Sequence, residues 1–217
     1  MRLDIRLVVF DVDGTLTKHS SVWWRLHEHF GTTVEGKLYY NQYFAGEINY
    51  DQWADLDASL WKGKTLEEVM KVVHATKLAP GAKETIQALQ KHNLKTAILS
   101  GGLDIMADDI GRRVGIDYVL TNRIYHHNGV LTGEVENLVA WGEKSEVISQ
   151  INNHFDIPLE ETAFVGDGRN DMSVFKIVGF SIAYNPEDQE VANAADVVIK
   201  KDDLRAILPH LISEYHE

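Results

Sequence analysis

The chain has 217 residues, 44% of them hydrophobic, and a formal net charge of −12. That length supports one domain with a large insertion or two modest domains. The acidic balance, with no basic block, excludes nucleic acid as a main partner, and the absence of cysteine excludes disulfides, thiolate catalysis and cysteine–zinc sites. The N-terminal MRLDIRL is charged and lacks a signal-peptide apolar core, and no apolar run is long enough to span a bilayer. A soluble, cytoplasmic protein with no membrane partner is expected.

The first predicted strand is IRLVVF (5–10), followed at once by DVDGTLT (11–17). In extended chain Asp11 and Asp13 point to one side while Val12 points the other way, into packing, and Gly14 permits a sharp turn. An isolated pair of this kind is a polar turn with Thr15 capping a helix. Residues 17–79 then interrupt the pattern. They are rich in helix formers and aromatics, show no clear strand, and end at APGA (79–82), so they read as a helical insertion after the first strand.

From there strands alternate with amphipathic segments. AKETIQALQKH (82–92) reads as a helix and LKTAILS (94–100) as a strand running into the glycines of LSGG (99–102). NRIYHHNGVLTGEVE (122–136) carries Asn128–Gly129 between alternating apolar residues, a β-hairpin signal. EKSEVISQINNHF (143–155) is helical, with Lys144 near its start, and TAFVG (162–166), GFSIAY (179–184) and DVVI (196–199) are strands. Such alternation implies a parallel sheet covered on both faces.

Ligands of open α/β sheets bind at the carboxyl ends of the strands, and four features fall there. They are the Asp11/Asp13 pair; Ser100 with Gly101, able to offer a hydroxyl and backbone N–H groups to a phosphate; Lys144, a compact positive charge; and VGDGRNDM (165–172), where Asp167 ends a strand and Asn170 and Asp171 follow in the turn. Taken singly, these are turns, a surface lysine and a helix cap. Their joint occurrence in this order points to phosphoryl chemistry.

DVDGTLT, LSGG, Lys144 and GDGRND resemble the four motifs of the haloacid dehalogenase superfamily of phosphohydrolases. LDIMADDIGRRVGIDYVLTNRI, GVLTGEVE, KSEVI and KKDDLRAIL are similar to the phosphoserine phosphatase branch of it, over residues 1–16 and 80–217. The resemblance implies a Rossmann-like doubly wound parallel sheet with a β-hairpin, residues 1–16 and 80–217 forming the α/β core and 17–79 a helical cap. It implies a Mg²⁺-dependent phosphomonoester hydrolase acting on a small phosphorylated metabolite. Asp11 would be the nucleophile that forms an aspartyl-phosphate, and Asp13 the general acid and base. Mg²⁺ would be held by Asp11, the backbone carbonyl of Asp13, and Asp167, with Asn170 and Asp171 supporting that shell. Ser100, Gly101 and Lys144 would hold the phosphoryl group.

Two positions depart from that pattern. Where phosphoserine phosphatases carry a glutamate for the substrate ammonium, this chain has Ser20; where they carry an arginine for the carboxylate, alignment gives Asp57. Trp23, Trp24, Trp53 and Trp61 share the same insertion. Either they surround a cationic substrate head with Asp57 as counter-charge, or they bury the cap helices against each other. Other phosphate monoesters, such as amino-alcohol or sugar phosphates, transfer of the phosphoryl group to another alcohol, and a non-catalytic binding module are the alternatives. The sequence offers no basis for an oligomeric state.

Overall fold

The computed structural model describes residues 4–19 and 21–212. Seven strands form one sheet: β1 (Leu7–Phe10), β2 (Lys95–Leu103), β3 (Tyr118–His127), β4 (Val130–Glu136), β5 (Thr162–Gly166), β6 (Phe180–Tyr184) and β7 (Val197–Ile199), in the order β4-β3-β2-β1-β5-β6-β7. All neighbours are parallel except β3 and β4. The chain leaves β1 toward β2 and β3, then returns to its other side at β5. The carboxyl ends of β1 and β5 thus flank the point where the winding reverses, which is where such sheets open a crevice.

Side-chain alternation along β1 divides the core in two. Val8 and Phe10 pack with Ile86 and Leu89 of α5 (Ala82–Lys91) and with Met106 and Ile110 of α6 (Asp104–Val114). Leu7 and Val9 pack on the other face with Ile148 and Ile151 of α7 (Lys144–Phe155), and with Val174 and Phe175 of α8 (Met172–Phe175). With both faces covered, each residue of β1 is apolar and fully buried, as central parallel strands require. No helix among the described residues is long and apolar enough to cross a membrane.

Two elements differ from the sequence expectation. The strand expected at 94–100 continues to Leu103, because its register with β3 slips: Ser100 faces Thr121 and Leu103 faces Asn122, leaving Gly101 and Gly102 as a bulge. The hairpin expected from residue 122 begins earlier. β3 starts at Tyr118, pairs in parallel with β2, and only then turns outward to pair with β4. Its turn is the expected Asn128–Gly129, both at positive φ.

Between β1 and α5 the described residues form four helices: α1 (Val22–Phe30), α2 (Thr33–Phe44), α3 (Tyr50–Leu60) and α4 (Leu66–His74). Asn49–Gln52 and Thr65–Glu68 form capping boxes that start α3 and α4. Trp61, just after α3, is fully buried, with its ring against Trp23, His27 and Phe30. The two connections to the sheet run side by side, with Ala79 N–H donating to Leu16 O at 2.8 Å and Lys18 N–H to Lys77 O at 3.4 Å. The hairpin holds the far side: Gly63 donates to Leu131 O, Leu131 to Lys64 O and Leu66 to Gly129 O. Two neighbouring connections and a buttressing hairpin place α1 and α3 over the carboxyl ends of the strands.

Trp61→Ala is expected to lower the unfolding free energy by about 3–5 kcal/mol, the usual cost of emptying a buried tryptophan site, in urea titrations followed by far-UV circular dichroism. A change below about 1 kcal/mol would place Trp61 outside the packing that holds the insertion together.

Candidate active site

A cavity of about 510 Å³ lies over the β1 and β5 ends and is lined from below by Asp11, Asp13, Ser100, Lys144 and Asp167. Its floor is set by strand geometry. Asp11 follows β1, and its N–H donates to Val165 O of β5 at 2.9 Å, bringing it beside Asp167. Between them the chain must turn without a side chain. Gly14 has φ +90°, and a β-carbon there would collide with the Asp167 carboxylate. Thr15 Oγ1 donates to Asp167 Oδ1 at 2.8 Å, so the first turn orients a carboxylate of the second.

Lys144 begins α7 and is 1% exposed. Its ammonium donates to Asp11 Oδ1 and to Asp171 Oδ1, both at 2.5 Å. Asp171 is fully buried, and its other oxygen accepts the N–H groups of Asp167 and Gly168 at 3.0 Å each. Burial alone would push Lys144 down, but the two carboxylates outweigh it and hold the ammonium above its ordinary range. Burial pushes Asp11 up to about 6, with Lys144 opposing. Burial and then the charge of Asp11 push Asp13 up to about 7. Burial and the charges of Asp11 and Asp171 hold Asp167 well above the carboxylate range.

Asp13 has one oxygen fixed and one free. Val22 N–H, at the start of α1, donates to Oδ2 at 3.1 Å, while the buried Oδ1 has no hydrogen-bond partner. Ser100 Oγ accepts from Gly102 N–H at 3.1 Å, which leaves its own proton to donate. Asn170 also lines the cavity. Ser20 lies outside the described residues. Of the four tryptophans of the insertion, Trp23 and Trp53 line the cavity; Trp61 is buried core, and Trp24 turns its indole N–H to Glu28. Asp57 lines the cavity while 4% exposed, 3.2 Å from His27 Nε2.

Asn122 was missed by sequence reading. It is fully buried; its side-chain NH₂ donates to Gly101 O, Val139 O and Tyr50 OH, and its oxygen accepts from Leu138 and Val139. One amide thus joins the Ser100 turn, the loop leading to Lys144, and α3. A lone amide in a strand whose partners lie 16 or more residues away leaves no local pattern to read.

The floor gathers Asp11, Asp13, Asp167 and Asp171 against a single ammonium. Oxygen atoms of Asp11, Asp167 and Asp171 all lie within 4.8 Å of one another. An all-oxygen cluster with an excess of negative charge fits a hard divalent cation, and burial first, then neighbouring carboxylates, hold Asp11 and Asp167 above their ordinary range.

The family model of haloacid dehalogenase-like hydrolases matches residues 8–176. This chain belongs to that family. It is 34% identical over 207 residues to a phosphoserine phosphatase of Methanocaldococcus jannaschii, covering 95% of this chain and 97% of that one. A phosphoserine phosphatase of Wolinella succinogenes is 31% identical over 210 residues, covering 95% and 100%. A solved phospho-aspartyl intermediate analogue of phosphoserine phosphatase aligns with a TM-score of 0.80 at 34% identity, covering 95% and 99%. The family chain described here is a phosphoric monoester hydrolase of the phosphoserine phosphatase-like kind.

The shifted carboxylates set a pH dependence. Folded Asp11, Asp13 and Asp167 keep protons at pH values where the unfolded chain, with Asp near 3.9, has released them. Stability of the metal-free protein therefore falls as pH rises from about 4 through about 7. Thermal melts at pH 5 and pH 8 are expected to show that loss, and millimolar Mg²⁺ should raise the melting temperature more at pH 8 than at pH 5. Asp167→Asn should flatten the metal-free pH profile; an unchanged profile would remove Asp167 from the charge excess.

Proposed function

We propose that this chain is a Mg²⁺-dependent phosphomonoesterase that works through an aspartyl-phosphate on a small phosphorylated metabolite. The observation that carries this reading is the arrangement of Asp11 and Asp13. One carboxylate is held by the Lys144 ammonium at the cavity floor, and the next has one oxygen anchored and the other buried and free. The likeness to a phosphoserine phosphatase solved as a phospho-aspartyl intermediate analogue supports the same assignment.

Asp11 attacks phosphorus, and the bond to the ester oxygen breaks as Asp13 delivers its proton to that oxygen. The substrate alcohol leaves. Asp13, now ionised, takes a proton from the water that attacks the aspartyl-phosphate, releasing inorganic phosphate and restoring Asp11. A carboxyl pushed up to about 7 suits an acid that must first hold and then accept a proton near neutrality. Ser100 donates its free hydroxyl proton to a phosphoryl oxygen, Gly101 adds its N–H, and Lys144 offsets charge on the equatorial oxygens. Asp11, Asp167 and the Asp13 carbonyl would hold Mg²⁺, which would lessen repulsion between carboxylate and phosphate; Asn170 and Asp171 keep those ligands in place. Residues 17–79 act as the cap that excludes water, swinging on the paired connections near residues 17–20 and 78–81.

Asp11→Asn keeps the shape and removes the attacking charge. With p-nitrophenyl phosphate as substrate, kcat is expected to fall by about 10³-fold or more (about 4 kcal/mol) while the protein stays folded by circular dichroism. Chelation should stop wild-type turnover, Mg²⁺ should restore it, and Ca²⁺, with its larger and looser shell, should restore it poorly. Wild-type rates from Asp11→Asn, or full activity in chelator, would overturn the mechanism.

A further inference from the structure

The floor of the cavity handles phosphate; its upper wall is built for something else. α3 presents Tyr50, Trp53, Ala54 and Asp57 to the cavity, at spacings of three, four and seven residues that share one helix face. That face runs for about 10 Å. Trp23 from α1 and Trp141 from the loop before Lys144 complete the wall. The rings are braced from behind rather than loose: Trp53 stacks on Tyr43 at 4.7 Å, Trp141 meets Phe44 at 5.1 Å, and Trp23 donates its indole N–H to Gly101 O at 3.0 Å.

This wall also carries an acidic side chain. Asp57 is 4% exposed, and its Oδ1 has no well-aligned hydrogen bond, since His27 Nε2 is near in distance but off axis. A polar chain runs behind it. Trp61 N–H donates to Thr32 Oγ1 at 3.3 Å, and Thr32 lies 2.8 Å from His27 Nδ1. His27 thus has a polar partner on its other ring nitrogen, away from Asp57.

No lysine or arginine of the described cavity wall pairs with Asp57; its near neighbour is His27. Among the described residues, the lysines lining the cavity are Lys18 and Lys144, and no arginine lines it. Lys144 is bound to Asp11 and Asp171, and Lys18 is paired with Asp202. Arg25, next to the site in the chain, spends its guanidinium on Thr76 Oγ1 and Val72 O. A substrate carboxylate would meet aromatic faces and a buried acidic side chain. An ammonium would meet aromatic faces and an acidic side chain with no lysine or arginine beside it, the combination that binds organic cations.

We propose that the non-phosphate end of the substrate is an organic cation, and that the chain hydrolyses phosphate monoesters of amino alcohols. This rests on the phosphatase reading above. A primary ammonium would draw mainly on Asp57, a methylated one mainly on the rings of Tyr50, Trp53, Trp23 and Trp141.

The test compares kcat/KM of the Mg²⁺-loaded enzyme on p-nitrophenyl phosphate, phosphoethanolamine, phosphocholine, glycerol 3-phosphate and phosphoserine. At least one of the two cationic esters is expected to exceed both glycerol 3-phosphate and phosphoserine by tenfold or more, and which one wins tells whether Asp57 or the rings dominate. Asp57→Asn should cut that advantage by tenfold or more, through KM, and Trp53→Leu should cut it most for phosphocholine. Should either variant fail to fold, the wild-type ratios alone decide. Turnover of the aryl ester with phosphoserine or glycerol 3-phosphate equal to or better than the cationic esters would overturn this inference and leave the phosphatase reading standing. No turnover of any ester would overturn both.

Discussion

The site depends on one buried ammonium. Lys144 lies between Asp11 and Asp171, 2.5 Å from an oxygen of each, and is nearly inaccessible. Taking such charges out of water is expensive, and the pairing is stable only because the remaining lone pairs are occupied. Asp171 shows how: its second oxygen is filled by two backbone N–H groups of the turn after β5. The lysine thereby fastens α7 to the ends of β1 and β5, and the contact that holds Asp11, the proposed nucleophile, also closes the core. Removing the ammonium would leave carboxylates facing one another with no counter-charge, so at this position stability and chemistry cannot be separated.

Lys144 arrives there because of a residue with no charge. Asn122 binds Leu138 and Val139 of the approach loop, Gly101 of the phosphate turn and Tyr50 of α3. The bulge at Gly101–Gly102 is what lets Asn122 stand opposite Leu103 in place of continuing the register from Ser100 and Thr121. A slip in a strand pair therefore sets the geometry of three loops at once. It does so without a flexible element, since the amide is fully buried and both its ends are used.

Much of this was legible beforehand, for unequal reasons. The Asp11/Asp13 pair follows from period-two alternation at the end of a buried strand, a local pattern, and the five core strands were readable as apolar runs between turns. The Asn128–Gly129 turn was equally local. Lys144 and Asp171 were readable as a compact cation and a turn carboxylate but not as partners, because nothing in their neighbourhoods shows that they meet across 27 residues. The first half of β3 was hidden because YVL (118–120) is short and follows α6 without a periodic signal. The tryptophans could not be sorted by spacing. Trp23 and Trp61 both sit in helical context, yet one faces the cavity and the other is core, and only the crossing of α1 over α3 separates them.

The cap is more than a cover. Asp13 belongs to the core, but the hydrogen bond that fixes its Oδ2 comes from Val22 N–H, the first residue of α1. Trp23, the next residue, donates to Gly101 O in the phosphate turn. The start of α1 thus touches both Asp13, the proposed proton-transfer group, and the Gly101 turn proposed to hold the phosphoryl group. The connection leading into it is short and pinned beside the returning strand at residues 77–79. The seating of α1 and the aim of the Asp13 carboxyl are therefore one contact: without Val22 N–H on Oδ2, neither oxygen of this carboxyl would have a hydrogen-bond partner among the described residues, which ties the position of the insertion to the state of the floor.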